Sequence, residues 1–272
     1  KMNKLGFIGF GNMAQALAGG FLNSGLISKE NVFAYAPNQK KLSDNTGKLG
    51  ITPCSSLSEI VSACDTLVMA CKPYQIEDVL KEIRDSLMGK TLISVAAGWD
   101  YAKYAAVLSI EPSPVTGEYC HFQFVMPNTP ALVGEGVLLF EEKNSLSENE
   151  RTEIVKLFEA TGTVAFLPSN LMGIGGAVTG CGPAFVDLFM EAYADAAVKY
   201  GIPRPTAYKL ISQMVLGSAK LQKETGEHPG VLKDNVCYPN GTTIRGVASL
   251  EENGFRNACI KSIDAIMDFK KN

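Results

Sequence analysis

The chain has 272 residues, 46% of them hydrophobic and 19% charged, and its 25 Lys and Arg against 28 Asp and Glu leave a formal net charge of −3. That is enough for one large domain or two of ordinary size, each with a real core. Near-balanced charge, with no Lys/Arg block and no acidic tail, speaks against a dedicated nucleic-acid binder, which needs a basic face to displace counterions from phosphates.

In chain order, the apolar run Lys4–Gly9 predicts a first strand, and Asn12–Leu22, with apolar and small residues at helical spacing, a first helix. Asn31–Ala36, Asp65–Cys71 and Lys90–Ala96 predict further strands, with an amphipathic helix over Gln75–Leu87. Short apolar strands separated by helix-length segments predict a parallel sheet wound by right-handed crossovers. Tyr119–Met126, Gly136–Glu141 and Val164–Leu167 are candidates for its remaining strands. From about Asn170 the strand signals cease. Three long helical segments follow, Pro183–Tyr200, Pro205–Glu224 and Phe255–Lys271. The change of period, with stop and cap signals in Pro168-Ser169-Asn170, places a boundary near residues 165–172. The expected organisation is an α/β nucleotide-binding domain over 1–167 and an all-helical domain over 168–272.

No uninterrupted apolar run approaches the roughly 18 residues that span a bilayer, and Gly6, Gly9 and Gly11 break the apolar stretch after Lys4. The seven cysteines (54, 64, 71, 120, 181, 237 and 259) form no CxxC pair, which points to a reducing compartment. Cys54, Cys64, Cys71 and Cys120 read as small buried hydrophobes. Two histidines far apart, His121 and His228, supply a metal site poorly, and His228 before Pro229 reads as a loop-packing residue rather than a base. The expectation is a soluble, cytoplasmic protein with no metal, nucleic-acid or membrane partner.

Gly9-Phe10-Gly11-Asn12-Met13-Ala14 is G-x-G-x-x-A between the first strand and the first helix. Gly9 permits a tight turn, Gly11 lets backbone approach a pyrophosphate, and Ala14 lets the helix lie close to the strand. The helix would offer its unpaired N–H groups and positive dipole end to phosphate; the alternative is a structural glycine-rich turn. An NAD site wants an acid at the end of the second strand for the ribose 2′-hydroxyl. Tyr35-Ala36-Pro37-Asn38-Gln39-Lys40-Lys41 has none. Asn38 could donate to a 2′-phosphate and Lys40 or Lys41 neutralise it, unless both lysines are merely solvated at a helix start. NADPH is the expected cofactor, with NADH possible.

Three further stretches are unlike ordinary core: Met126-Pro127-Asn128-Thr129-Pro130; Thr179-Gly180-Cys181-Gly182-Pro183-Ala184, read as a flexible turn feeding a long helix; and Leu232 to Ile244, ending in Gly241-Thr242-Thr243-Ile244. Here the chain resembles the pyrroline-5-carboxylate reductase family. The resemblance also takes in GFIGFGNMAQA at the start, Lys72-Pro73, Ala97-Gly98, Gly201-Ile202-Pro203-Arg204, the stretch from Glu224 to Pro229, and Gly254-Phe255-Arg256. It implies an N-terminal Rossmann dinucleotide-binding domain, a C-terminal all-helical dimerisation domain, and reduction of 1-pyrroline-5-carboxylate to L-proline by hydride from NAD(P)H, the last step of proline biosynthesis. It implies a homodimer, with assembly of dimers left open.

Carried onto this sequence, the resemblance implies that Gly9, Gly11, Asn12, Met13, Ala14 and the stretch Ala70, Cys71, Lys72 and Pro73 meet the cofactor. Asn38 would lie near the 2′-phosphate, and Asn128 and Ala97-Gly98 by the nicotinamide, with Trp99 beside them read as wall. Tyr238, Asn240, Gly241, Thr242 and Thr243 would meet the substrate, at the dimer interface. A Gly-Thr-Thr sequence opening a helix offers N–H groups to a carboxylate. The Thr243 hydroxyl would bond the imine nitrogen, as the catalytic contact, or Thr242-Thr243 would cap the helix, or both.

Some positions depart from the family. Its loop usually reads Ser-Pro-Gly-Gly-Thr-Thr, against Tyr238-Pro239-Asn240-Gly241-Thr242-Thr243 here. Cys181 stands where serine is usual, Phe124 where a basic residue is common, and Glu111–Cys120 matches poorly. Glu191 and Asp195 read as the solvated or interface face of their helix. Three readings stay open: the family activity with drift, a paralogue taking another cyclic imine, or a dinucleotide-binding regulator without turnover.

Overall fold

A computed structural model describes residues 3–269. The apolar run after Lys4 forms β1 (Leu5–Ile8), buried throughout. It turns into α1 (Asn12–Asn23), where Ala14, Leu17, Ala18 and Phe21 face inward at helical spacing. The alternation continues through β2 (Val32–Tyr35), α2 (Gln39–Leu49), β3 (Thr52–Pro53), α3 (Leu57–Ala63), β4 (Thr66–Met69), α4 (Ile76–Ile83), β5 (Thr91–Ser94) and α5 (Tyr101–Val107). Next come β6 (His121–Met126), β7 (Gly136–Glu141), α6 (Glu148–Glu159) and β8 (Gly162–Leu167). Then helices alone follow: α7 (Ser169–Lys199), α8 (Arg204–Thr225), α9 (Pro229–Asn235), α10 (Thr242–Glu252) and α11 (Phe255–Phe269). Lys270 and Lys271, at the end of the expected third helix, lie outside the described residues.

The strands form one eight-stranded sheet in the order β3-β2-β1-β4-β5-β6-β7-β8. β1 is flanked in parallel by β2 and β4, with Leu5 opposite Val32 on one side and Thr66 on the other. The β6–β7 pair is antiparallel, so β7 and β8 run against the others. Alternate residues along each strand feed two apolar clusters, one per face. Phe7 and Val68 join Leu17, Phe21 and Phe158 in one, and Ile8, Leu67 and Met69 join Ile60, Leu80 and Tyr104 in the other.

Two compact units divide between Gly180 and Cys181. The first holds the sheet, its helices and the opening turns of α7; the second holds the rest of α7 and α8–α11. Within the second, Phe189 packs against Tyr193 and Phe255 (ring centroids 4.5 and 6.4 Å), and Asp195 pairs with Arg204.

One expectation is corrected. Thr179–Ala184 is no flexible turn but part of α7, with Pro183 inside the helix. The small residues before it serve packing: a Cβ on Gly175 would stand 2.5 Å from Leu167 Cδ1, and one on Gly176 would run into Met126 Sδ. Glycine there lets a helix lie on the sheet. α7 also contains an 18-residue window apolar enough by length and composition to cross a bilayer, although polar residues such as Asn170 and Thr179 interrupt its apolar run. Only 17% of that window is buried within the single chain.

The sheet is tied to α6 by one carboxylate. Glu150 closes a capping box, accepting from Ser147 N–H (2.8 Å) and Ser147 Oγ (2.6 Å), and it also accepts from Thr91 Oγ1 on β5 (2.7 Å). His121 Nδ1 on β6 lies 2.7 Å from the same group. Burial opposes its charge most strongly, but the hydrogen bonds from Ser147, Thr91 and His121 together outweigh it and draw the carboxyl from 4.5 down to about 2. A lowered native pKa means stabilisation that is present above the unfolded value and lost as acid titrates the folded group. Glu150→Gln should therefore cost about 2 kcal/mol near neutral pH in urea unfolding, the gap from wild type closing as pH falls from about 4.5 toward 2.

Candidate functional site

The carboxyl ends of β1 and β4 meet at the point where the strand order reverses, the usual ligand crevice of an open α/β sheet. Gly9 N–H donates to the Tyr35 carbonyl of β2 (2.8 Å), and Ala70 N–H to the Ile8 carbonyl of β1 (2.8 Å). Gly9 has φ +91°, and a Cβ on it would stand 2.5 Å from Cys71 N. Gly11, the N-cap of α1, is different. A Cβ there would meet nothing within 4 Å. Gly11 caps α1 with no side chain, and the first turn carries no acid. Bare N–H groups, the positive dipole end and an open cradle above Gly11 fit a dinucleotide pyrophosphate. Asn12 is exposed, Met13 half-buried and Ala14 buried against the strand.

At the end of β2, Asn38 is the N-cap of α2, its Oδ1 accepting from Lys41 N–H (3.0 Å). Asn38 is exposed, as are Lys40 and Lys41 beside it. The loop after β4 is half-buried at Ala70 and Cys71 and exposed at Lys72 and Pro73. Cys71 thus corrects the expectation of four fully buried thiols, for only Cys54, Cys64 and Cys120 are buried. Burial still pushes the Cys71 thiol up to about 11, so it stays protonated and unreactive at neutral pH.

Ala97 and Gly98 are exposed after β5, with Gly98 at φ +77°. Asn128 is buried and doubly engaged: its Oδ1 accepts from Val137 N–H (2.8 Å), and its Nδ2 donates to the Thr179 carbonyl (2.9 Å). It therefore locks the Met126–Pro130 stretch to β7 and α7.

In the helical unit, Thr242 and Thr243 are the first two residues of α10, whose N-cap is Gly241 with no side-chain cap bond. The capping reading of the threonines is thus corrected: they lie one and two residues past the cap, and both are exposed. Asn240 has φ +59°, the left-handed conformation that a glycine would suit. Its Oδ1 accepts from Arg245 Nη2 (2.7 Å), a tie across the start of α10 that no sequence pattern announced. Tyr238 is 72% exposed. His228 caps α9, accepting from Gly230 N–H (3.0 Å).

A cleft of about 320 Å³ lined by Asp65, Thr66, Thr91, Ser147 and Glu150 lies at the opposite, amino ends of β4 and β5, away from these residues.

A family model for pyrroline-5-carboxylate reductase dimerisation matches residues 169–272, and one for NADP oxidoreductase, coenzyme F420-dependent, matches residues 4–98. The pyrroline-5-carboxylate reductase of Treponema pallidum (strain Nichols) is 39% identical over 97% of this chain and 98% of that protein. That of Escherichia coli (strain K12) is 38% identical over 97% and 96%. The crystal structure of Plasmodium falciparum pyrroline carboxylate reductase with NADP bound is 33% identical, has a TM-score of 0.86, and covers 100% of this chain and 98% of that one. With identity of this order along nearly the whole chain, the protein belongs to the pyrroline-5-carboxylate reductase family.

Proposed function

We propose that this protein reduces 1-pyrroline-5-carboxylate to L-proline with NADPH, closing proline biosynthesis. The observation that carries the reading is the open, acid-free N-terminus of α1 at the β1–β4 crevice, in a chain of this family. The named NADP in the Plasmodium relative and the absence of an acid at the end of β2 support NADPH over NADH.

In this assignment Gly9, Gly11, Asn12, Met13 and Ala14 hold the pyrophosphate, and Asn38 with Lys40 and Lys41 the 2′-phosphate. Ala70–Pro73, Ala97-Gly98 and Asn128 form the nicotinamide side, where Asn128 acts by fixing backbone. When bound, the cofactor supplies hydride to the imine carbon. The α10 N-terminus at Gly241-Thr242-Thr243, flanked by Tyr238 and Asn240, holds the substrate carboxylate with backbone N–H groups. The exposed Thr243 hydroxyl donates to the imine nitrogen and polarises the C=N bond, and the nitrogen takes up a proton from that hydroxyl or from water as the carbon accepts hydride. Neither histidine is needed: His121 is engaged with Glu150 and His228 caps a helix. Rate then comes from orientation and from the hydrogen bond at nitrogen.

We assign nucleotide binding to residues 1–167 and the dimerisation and substrate region to 168–272, a division close to the start of α7 at Ser169. The exposed apolar side chains of α7 are covered by a second copy in a homodimer, and dimers can assemble further. This accounts for the hydropathy of α7 without a membrane. The setting is the cytoplasm. The exposed Tyr238 favours a second reading, a cyclic-imine reductase for a differently shaped acid.

The decisive experiment follows loss of NADPH absorbance with 1-pyrroline-5-carboxylate and with a panel of other cyclic imines. Turnover fastest with the former upholds the proposal; turnover only with others selects the second reading; NADPH binding without turnover leaves a regulator. Thr243→Ala should lower kcat/KM by about tenfold to a hundredfold, with Thr243→Ser restoring most of it. Gly11→Ala should raise the NADPH KM while shifting stability by less than about 1 kcal/mol. Gly9→Ala should instead be strongly destabilising in urea unfolding, because its Cβ meets backbone 2.5 Å away. Asn240→Gly should fold normally, and Asn240→Ala should lose about 1 kcal/mol to left-handed strain in the same assay.

A further inference from the structure

Trp99 is the one tryptophan in the chain and directly follows Ala97-Gly98. Its side chain turns back toward the neighbouring loop, where indole Nε1–H donates to the Pro73 carbonyl (3.1 Å). Pro73 opens the short turn after β4, and Gln75 Oε1 steadies that turn by accepting from Lys72 N–H (3.1 Å). The last strand bond between the two loops is Val95 N–H to the Met69 carbonyl (3.0 Å), and beyond it the indole supplies the next link.

The ring is held so that its N–H has one direction. It is 8% exposed and meets Tyr104 edge-on at 5.3 Å, and buried Tyr104 lies 4.4 Å from Phe122 of β6. The Lys103 ammonium sits over the indole at 5.8 Å from its centroid, and 3.9 Å from where a Gly98 Cβ would project. Rotating the indole would break the Pro73 bond, the Tyr104 contact and the Lys103 contact together. A mere wall needs ring area, not an aimed donor.

We propose that Trp99 is a positioning residue for the dinucleotide, its N–H on Pro73 setting the spacing between the β4 and β5 loops that grip the nicotinamide half. This rests on the cofactor assignment made above.

The test begins with wild type. NADPH absorbs where tryptophan emits, so titration should quench the emission of Trp99 saturably. Trp99→Phe keeps an aromatic ring and removes the donor. Its Kd for NADPH, by calorimetry, should rise about five- to tenfold, with the imine KM unchanged and kcat altered by less than about twofold. Should the Phe variant fold poorly, 3-benzothienylalanine at position 99 keeps the bicyclic shape without the N–H, and the same rise is expected. A lowered melting temperature with unchanged NADPH Kd would mean that Trp99 only packs, and would overturn the proposal. No NADPH binding by wild type would instead sink the cofactor assignment, and the proposal with it.

Discussion

Between the ends of β1 and β4 there is no room for a side chain. Gly9 lies so close to Cys71 that even a methyl group would stand 2.5 Å from its backbone nitrogen, and the φ of +91° bars other residues independently. That contact brings the loop after β4 up to the turn before α1 and forms the floor of the crevice. The bonds from Gly9 to Tyr35 and from Ala70 to Ile8 then fix the three strand ends in one plane of backbone. Trp99 extends the same arrangement by one loop. Each neighbour is set by the one before it, so an error at Gly9 propagates across the whole cofactor side.

Side-chain caps are missing where the anions are assigned, although α4 and α8 also begin without one. Asn38, Ser56, Asp100, Ser147 and His228 cap α2, α3, α5, α6 and α9 with their own side chains. α1 and α10 begin on glycine, with no side-chain acceptor and no acid in the first turn. A capping side chain there would use the N–H groups that phosphate or carboxylate requires, and an acid would repel them. The two helices assigned to the cofactor and the substrate have thus forgone local stabilisation that five others keep.

Most of the first half was legible because buried parallel strands are continuous apolar runs, and β1, β2, β4 and β5 lie inside the stretches Lys4–Gly9, Asn31–Ala36, Asp65–Cys71 and Lys90–Ala96. Much of what escaped notice was short, β3 being two residues long and α3, α5 and α9 seven each, but α6, twelve residues opened by a Ser147–Glu150 capping box, was passed over as well. The misread Thr179–Ala184 shows a different failure. Glycine and proline signal a turn when only local conformation is considered, but α7 runs on through Gly180, Gly182 and Pro183, while the glycines that the sheet surface requires, Gly175 and Gly176, lie one turn earlier. The phosphate turn was visible as a motif. The Trp99–Pro73 and Asn240–Arg245 bonds were not, since each joins residues whose proximity only the folded chain creates.

The departures at the substrate side separate into backbone and side chain. Asn240 keeps the left-handed turn that the family's glycine permits, since asparagine tolerates that region better than most residues. It also gains something glycine lacks, an acceptor for Arg245. Gly241 N–H donates to the Tyr238 carbonyl (2.9 Å), so the turn is closed by main chain whatever residue 238 carries, and the tyrosine ring stands outside it, 72% exposed. The backbone that delivers Thr242 and Thr243 to the head of α10 is therefore insensitive to both substitutions. Under the proposed assignment, change at Tyr238 acts on the shape and polarity of what surrounds the acid, while the Thr243 hydroxyl is presented as before. Altered substrate preference and conserved chemistry are thus compatible in one loop.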